Sequence, residues 1–157
     1  AAIEAWTVTR PARAVEQGRR AYEAMGEHAR VVPVLVVQGT ADRRVHPVNG
    51  DQVIAQSKAA ADLRTTVTRG EAPGGISYTR IVQADEGGRP MLEQWVLHGA
   101  GHAWSGGSPA GSYTEPRGPD ASREMIRFFL QCPAAAEFGG VRGTQHPVED
   151  RAGTEPA

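Results

Sequence analysis

Val31-Val32-Pro33-Val34-Leu35-Val36-Val37, running into Gln38-Gly39-Thr40-Ala41-Asp42, is the stretch that decides the fold. Its apolar residues do not alternate with polar ones. A strand with one solvated face alternates, whereas an unbroken apolar run belongs to a strand covered on both faces, as in a parallel sheet flanked by helices. The run therefore predicts an α/β protein. A strand of this kind also calls for neighbours on both sides, and natural sheets usually hold ~4–6 strands. The rest of the chain offers about two more strands and two more helices. An inner strand so short of partners leads us to expect that an earlier part of the sheet precedes residue 1.

Working outward, residues 11–29 read as a helix. Pro11 suits a first helical turn and Thr9 can cap it. Ala14, Val15, Gly18, Ala21, Tyr22 and Met25 recur at helical spacing and form the expected inward face. After Asp42, Asn49 is expected to cap a helix reaching about Leu63, with Val53, Ile54 and Ala60 inward. Gly70 to Gly75 break the pattern. Ser77 to Gln83 and Met91 to Leu97 read as strands joined by a hairpin turn at Asp85-Glu86-Gly87-Gly88-Arg89-Pro90. A long loop runs from His98 to Pro119. Asp120 is expected to cap a last helix whose apolar side is Met125, Ile126, Phe128, Phe129 and Leu130. Residues 1–131 thus read as one domain, and residues 132–157, rich in Ala, Gly and Pro, as a poorly ordered tail.

Composition narrows the function classes. The 157 residues carry 17 basic and 18 acidic side chains, and no basic cluster exceeds Arg19-Arg20 or Arg43-Arg44. Nucleic acid is therefore not an expected partner. No apolar run approaches the ~18 residues of a membrane helix, so no membrane partner is expected. Ala1 to Trp6 lacks the basic and apolar regions of a signal peptide. Cys132, the single cysteine, cannot form an internal disulfide.

Two residues stand where chemistry gathers in open parallel sheets, just past strand ends. Asp42 follows the first apolar run. His102 follows Trp95-Val96-Leu97, inside His98-Gly99-Ala100-Gly101-His102-Ala103-Trp104. An Asp so placed can hold a catalytic imidazole in one tautomer, or can simply bond its own turn. An imidazole between small residues can serve as a general base, or merely as a hydrogen-bonded loop residue. The order Asp then His matches the last two members of a Ser…Asp…His triad. His28 lies near a helix end, His46 in the Asp42 loop, His98 at a strand end and His146 in the tail. The serine is missing. No G-x-S-x-G occurs, and in Gly106-Gly107-Ser108-Pro109-Ala110-Gly111 the second glycine comes one residue late. Asp51 and Asp62 read as solvated or capping residues. No H-E-x-x-H or Cys/His cluster is present, so neither a metal site nor a cofactor is expected.

The stretches Val34–Asp42 with Val45-His46-Pro47-Val48-Asn49, Gly99-Ala100-Gly101-His102-Ala103-Trp104-Ser105-Gly106-Gly107, and Tyr113-Thr114-Glu115-Pro116-Arg117-Gly118-Pro119-Asp120-Ala121-Ser122 together resemble the polyhydroxybutyrate depolymerase-type esterases. The resemblance spans about residues 30 to 130. It implies the C-terminal portion of an α/β-hydrolase sheet, about three strands with flanking helices, with the N-terminal half missing. It also implies a secreted serine esterase acting on polymeric or small carboxylic esters. By the same resemblance Asp42 is the acid, His102 the base, and Trp104 and Asn49 substrate-binding residues. The family's serine elbow and oxyanion loop have no counterpart here. The alternative is a non-catalytic module that binds a polymer or partner through the Trp104 loop. A peptidase or lactone hydrolase on the same fold is a further possibility.

Overall fold

A computed structural model describes residues 11–59 and 61–132. In chain order these are α1 (Pro11–Met25), a 3-10 turn (Gly26–His28), β1 (Val34–Gly39), α2 (Val48–Lys58), β2 (Arg64–Glu71), β3 (Ser77–Ala84), β4 (Pro90–Leu97), β5 (Trp104–Ser105), β6 (Thr114–Glu115) and α3 (Ala121–Gln131). The architecture is mixed α/β. Four strands form one sheet in the order β1-β4-β3-β2. β1 runs parallel to β4, while β4-β3 and β3-β2 are antiparallel. The expected tail and the Thr9 cap lie outside the described residues, as does Ala60.

β1 packs on both faces, as its unbroken apolar run predicts, although Val34 to Gln38 are only half-buried. Val34 and Val36 pack with Ile54 of α2 and Leu92, whereas Leu35 and Val37 pack with Trp95, Leu97 and Ile76. One of its flanks has no partner strand among the described residues, the shortage that the sequence reading noted. Among the described residues β4 is its one partner, so β1 stands at a sheet edge.

The sheet has four strands rather than about three. The extra one, β2, occupies residues that the sequence reading left mostly unassigned, between a helix ending at about Leu63 and the Gly-rich break that begins at Gly70. It is an outer strand, exposed along almost its whole length. Such a strand buries no face and leaves no apolar alternation. Its one sequence signal is the β-branched string Thr65-Thr66-Val67-Thr68. Arg64, Arg69 and Glu71 on it discourage edge-to-edge pairing. The hairpin between β3 and β4 forms where expected. Asp85 Oδ1 accepts from Arg89 N at 2.9 Å, and Gly88 supplies a positive φ of 80°.

α1 covers α2. Ala14 and Gly18 are buried at the contact, and Tyr22 donates its hydroxyl to Ser57 O at 2.8 Å. A β-carbon on Gly18 would stand 2.3 Å from Gln56 O, so only glycine permits this approach. Val15 and Ala21, expected inward, are exposed. On α2, Ile54 is buried and Val53 is exposed. The helix also starts two residues earlier than expected, with Pro47 rather than Asn49 at the cap position and no side-chain cap.

α3 is capped as expected: Asp120 accepts from Arg123 N at 3.0 Å. Of its apolar side, Phe128 is fully buried, while Met125, Ile126, Phe129 and Leu130 are exposed. Beside the buried Phe128 ring, polar contacts fasten this helix. Glu93 of β4 is 0% exposed and receives Arg80 through two bonds of 2.9 Å, Trp95 Nε1 at 2.6 Å, and Arg127 of α3. Burial pushes the Glu93 carboxyl up, but Arg80, Trp95 and Arg127 outweigh it and hold the group below its ordinary value.

Candidate active site

The parallel register aligns Gly39 with Leu97, so β1 and β4 end at the same level. Their two exit loops are laced together. Thr40 N donates to Leu97 O at 2.9 Å, Ala41 N donates to Ala100 O at 2.9 Å, and Gly99 N donates to Thr40 Oγ1 at 2.8 Å. Gly39 permits this closeness, since a β-carbon there would lie 2.2 Å from Ala100 O. Gly99 turns the second loop with φ 79°.

These constraints bring Asp42 and His102 together. His102 Nδ1 lies 2.8 Å from Asp42 Oδ2. The other carboxylate oxygen, Oδ1, accepts from Arg44 N at 2.8 Å and Val45 N at 2.9 Å. One oxygen thus contacts an imidazole and the other bonds the residue's own turn. Its side chain is 12% exposed, whereas that of His102 is 53% exposed. Burial raises the Asp42 pKa, but the Val45 amide, the His102 ring and the Arg44 amide prevail, and the net shift is downward. Asp42 is therefore ionised near neutrality and can only accept. Nδ1 is therefore the donor of this contact, and a neutral ring held this way carries its proton on Nδ1. Among the described residues Nε2 has no hydrogen-bond partner.

The pair opens on a cleft of about 500 Å³ whose walls include Val37, Gln38, His46, Trp104 and Tyr113. Trp104 is half-exposed. Its indole donates to Ser122 Oγ at 3.2 Å, and its amide donates to Tyr113 O at 2.7 Å. Asn49 is not part of the cleft lining. Its side-chain amide donates to His46 O at 3.0 Å, one residue before Gly50, which does line the cleft.

No described serine serves His102. Ser105 Oγ donates to Pro119 O, Ser57 Oγ donates to Val53 O, Ser122 Oγ accepts from Trp104, and Ser108 Oγ accepts from Ala110 N. The other described histidines are engaged elsewhere or apart: His98 Nε2 pairs with Thr79 Oγ1, and His46 Nδ1 accepts from Val48 N. Among the described residues no three His, Cys, Asp or Glu side chains cluster as a metal site. No described helix is long and apolar enough to cross a membrane.

Two features escaped the sequence reading. Asp51, read as solvated or capping, accepts on Oδ1 from Gln38 at 3.1 Å and Gln94 at 2.6 Å, so it ties α2 to β1 and β4 beneath the cleft. Tyr113 lines the cleft, a place the sequence reading did not give it although it opens the third stretch of the resemblance. Compared with known proteins, the chain matches no family model and no curated protein.

Proposed function

We propose that this chain carries the acid and base of a serine-type carboxylic ester hydrolase on an α/β-hydrolase sheet, with the nucleophilic serine supplied from outside residues 1–157. The substrate is an ester of polymeric or small kind, as the resemblance to polyhydroxybutyrate depolymerase-type esterases suggests. The observation that carries this reading is the 2.8 Å contact between His102 Nδ1 and Asp42 Oδ2 at the ends of two adjacent parallel strands, with Nε2 free at the cleft.

The geometry supports a specific division of labour. The serine hydroxyl attacks the ester carbonyl while His102 Nε2 takes its proton. The imidazolium formed is stabilised by Asp42, which also fixes the ring's tautomer. His102 then returns the proton to the departing alcohol. Water, deprotonated by the same nitrogen, releases the acid and restores the serine. The backbone N–H groups that hold the oxyanion belong with the serine elbow in this reading.

The reading predicts that residues 1–157 alone do not turn over 4-nitrophenyl butyrate. Hydrolysis by this chain that disappears in His102→Ala would contradict the placing of the serine outside it.

A further inference from the structure

Tyr113 is the one residue other than glycine that has a positive φ among the described residues, at 61°. A left-handed backbone suits Gly, Asn or Asp, and a bulky aromatic side chain there is strained. The ring is 83% exposed, so it gains nothing from burial. Neither local conformation nor core packing accounts for a tyrosine at this position.

The surroundings hold the strained conformation in place. Tyr113 O accepts from Trp104 N at 2.7 Å. The next residue, Thr114, pairs with Trp104 across β5 and β6, and its hydroxyl donates to Ser108 O at 2.8 Å. Trp104 is anchored in turn through Ser122. Two aromatic side chains therefore leave one short ladder, and both line the cleft that holds His102. Strained residues of this kind gather at ligand clamps, where the surrounding structure over-determines them.

We propose that Tyr113 is a ligand-contacting residue. With Trp104 it forms an aromatic wall beside His102 that receives a planar apolar group of the substrate, such as an aryl ring of the ester. Offset stacking on two exposed ring faces is the interaction this wall offers. The proposal rests on the ester-hydrolase reading only for the choice of ligand.

Phenyl butyrate is the probe, titrated into the chain while the Trp104 Nε1–H resonance is followed by NMR. Tyr113→Asn keeps a backbone suited to positive φ and removes the ring. It is expected to weaken binding about fivefold while the melting temperature stays level or rises. Tyr113→Phe keeps the ring face and is expected to bind within about twofold of the wild type. Wild-type affinity in Tyr113→Asn overturns the proposal, as does absence of binding by the wild-type chain. A loss of binding in Tyr113→Asn that comes with a lowered melting temperature also overturns it, since that marks a structural role. Failure of the ester-hydrolase reading would appear as catalysis that survives loss of His102, and would leave these affinities unmoved.

Discussion

Gly39 and Ala100 meet across the ends of β1 and β4, so closely that a β-carbon on Gly39 would stand 2.2 Å from the Ala100 carbonyl oxygen. Three residues beyond Gly39 comes Asp42, and two beyond Ala100 comes His102. The spacing of the Asp42–His102 pair is inherited from this contact. Gly39→Ala must push the two loops apart, at a cost of about 1–3 kcal/mol for an overpacked site. Urea unfolding measures the cost, and loss of the protected His102 Nδ1 proton signal reports the separation. An unchanged signal would show that the pair is positioned by something else.

Acid should unfold the protein by a predictable route. The folded pKa of Asp42 lies below its ordinary 3.8, and that of Glu93 below its ordinary 4.5. Both contributions are fully present above those ordinary values and are lost as pH falls through the lower folded values. The melting temperature is expected to hold between about pH 7 and 5 and to fall below about pH 4. Asp42→Asn should make that fall shallower. A fall of unchanged steepness would mean that Asp42 is not held in its charged form by its three partners.

Glu93 is the sole carboxylate on β4 and is closed off from solvent between Arg80 and Arg127. Glu93→Gln leaves two guanidinium groups facing a neutral amide, and breaking such a buried pair costs about 3–5 kcal/mol. Denaturant titration should show it, together with loosening of α3. A cost under about 1 kcal/mol, as for an exposed pair, would contradict the role assigned to this cluster.

Asp120 satisfies the free Arg123 amide at the start of α3. Asp120→Ala should cost about 1 kcal/mol, read from the same titration. Because Ser122 on that first turn holds the Trp104 indole, the variant should also broaden the Trp104 Nε1–H resonance. A sharp, unshifted resonance would separate the helix start from the cleft wall.

The elements legible in the sequence were those with an apolar face or a strong turn residue. β1 announces itself because both of its faces are covered, and the Asp120 cap because a carboxylate before an apolar helix has few other uses. Asp42 and His102 were legible from their places past strand ends. β2 was not, since an exposed outer strand needs no apolar pattern. The outward turn of Val53, Ile126 and Phe129 was equally hidden, because apolar spacing marks a stripe without showing how much of it is covered. The arginine partners of Glu93 and the Gln38–Asp51–Gln94 link span 13 to 43 residues, a relation that no local window contains. Tyr113 is distinguished by its backbone, and sequence does not carry a φ angle.

The most direct test is ester hydrolysis by the protein expressed from the whole reading frame that contains these residues, compared with its His102→Ala variant. With 4-nitrophenyl butyrate as substrate, the account predicts turnover in the parent and a loss of at least about 10⁴-fold in the variant. A reading frame with no G-x-S-x-G ahead of Ala1 and no hydrolysis, or hydrolysis that survives the loss of His102, would contradict it.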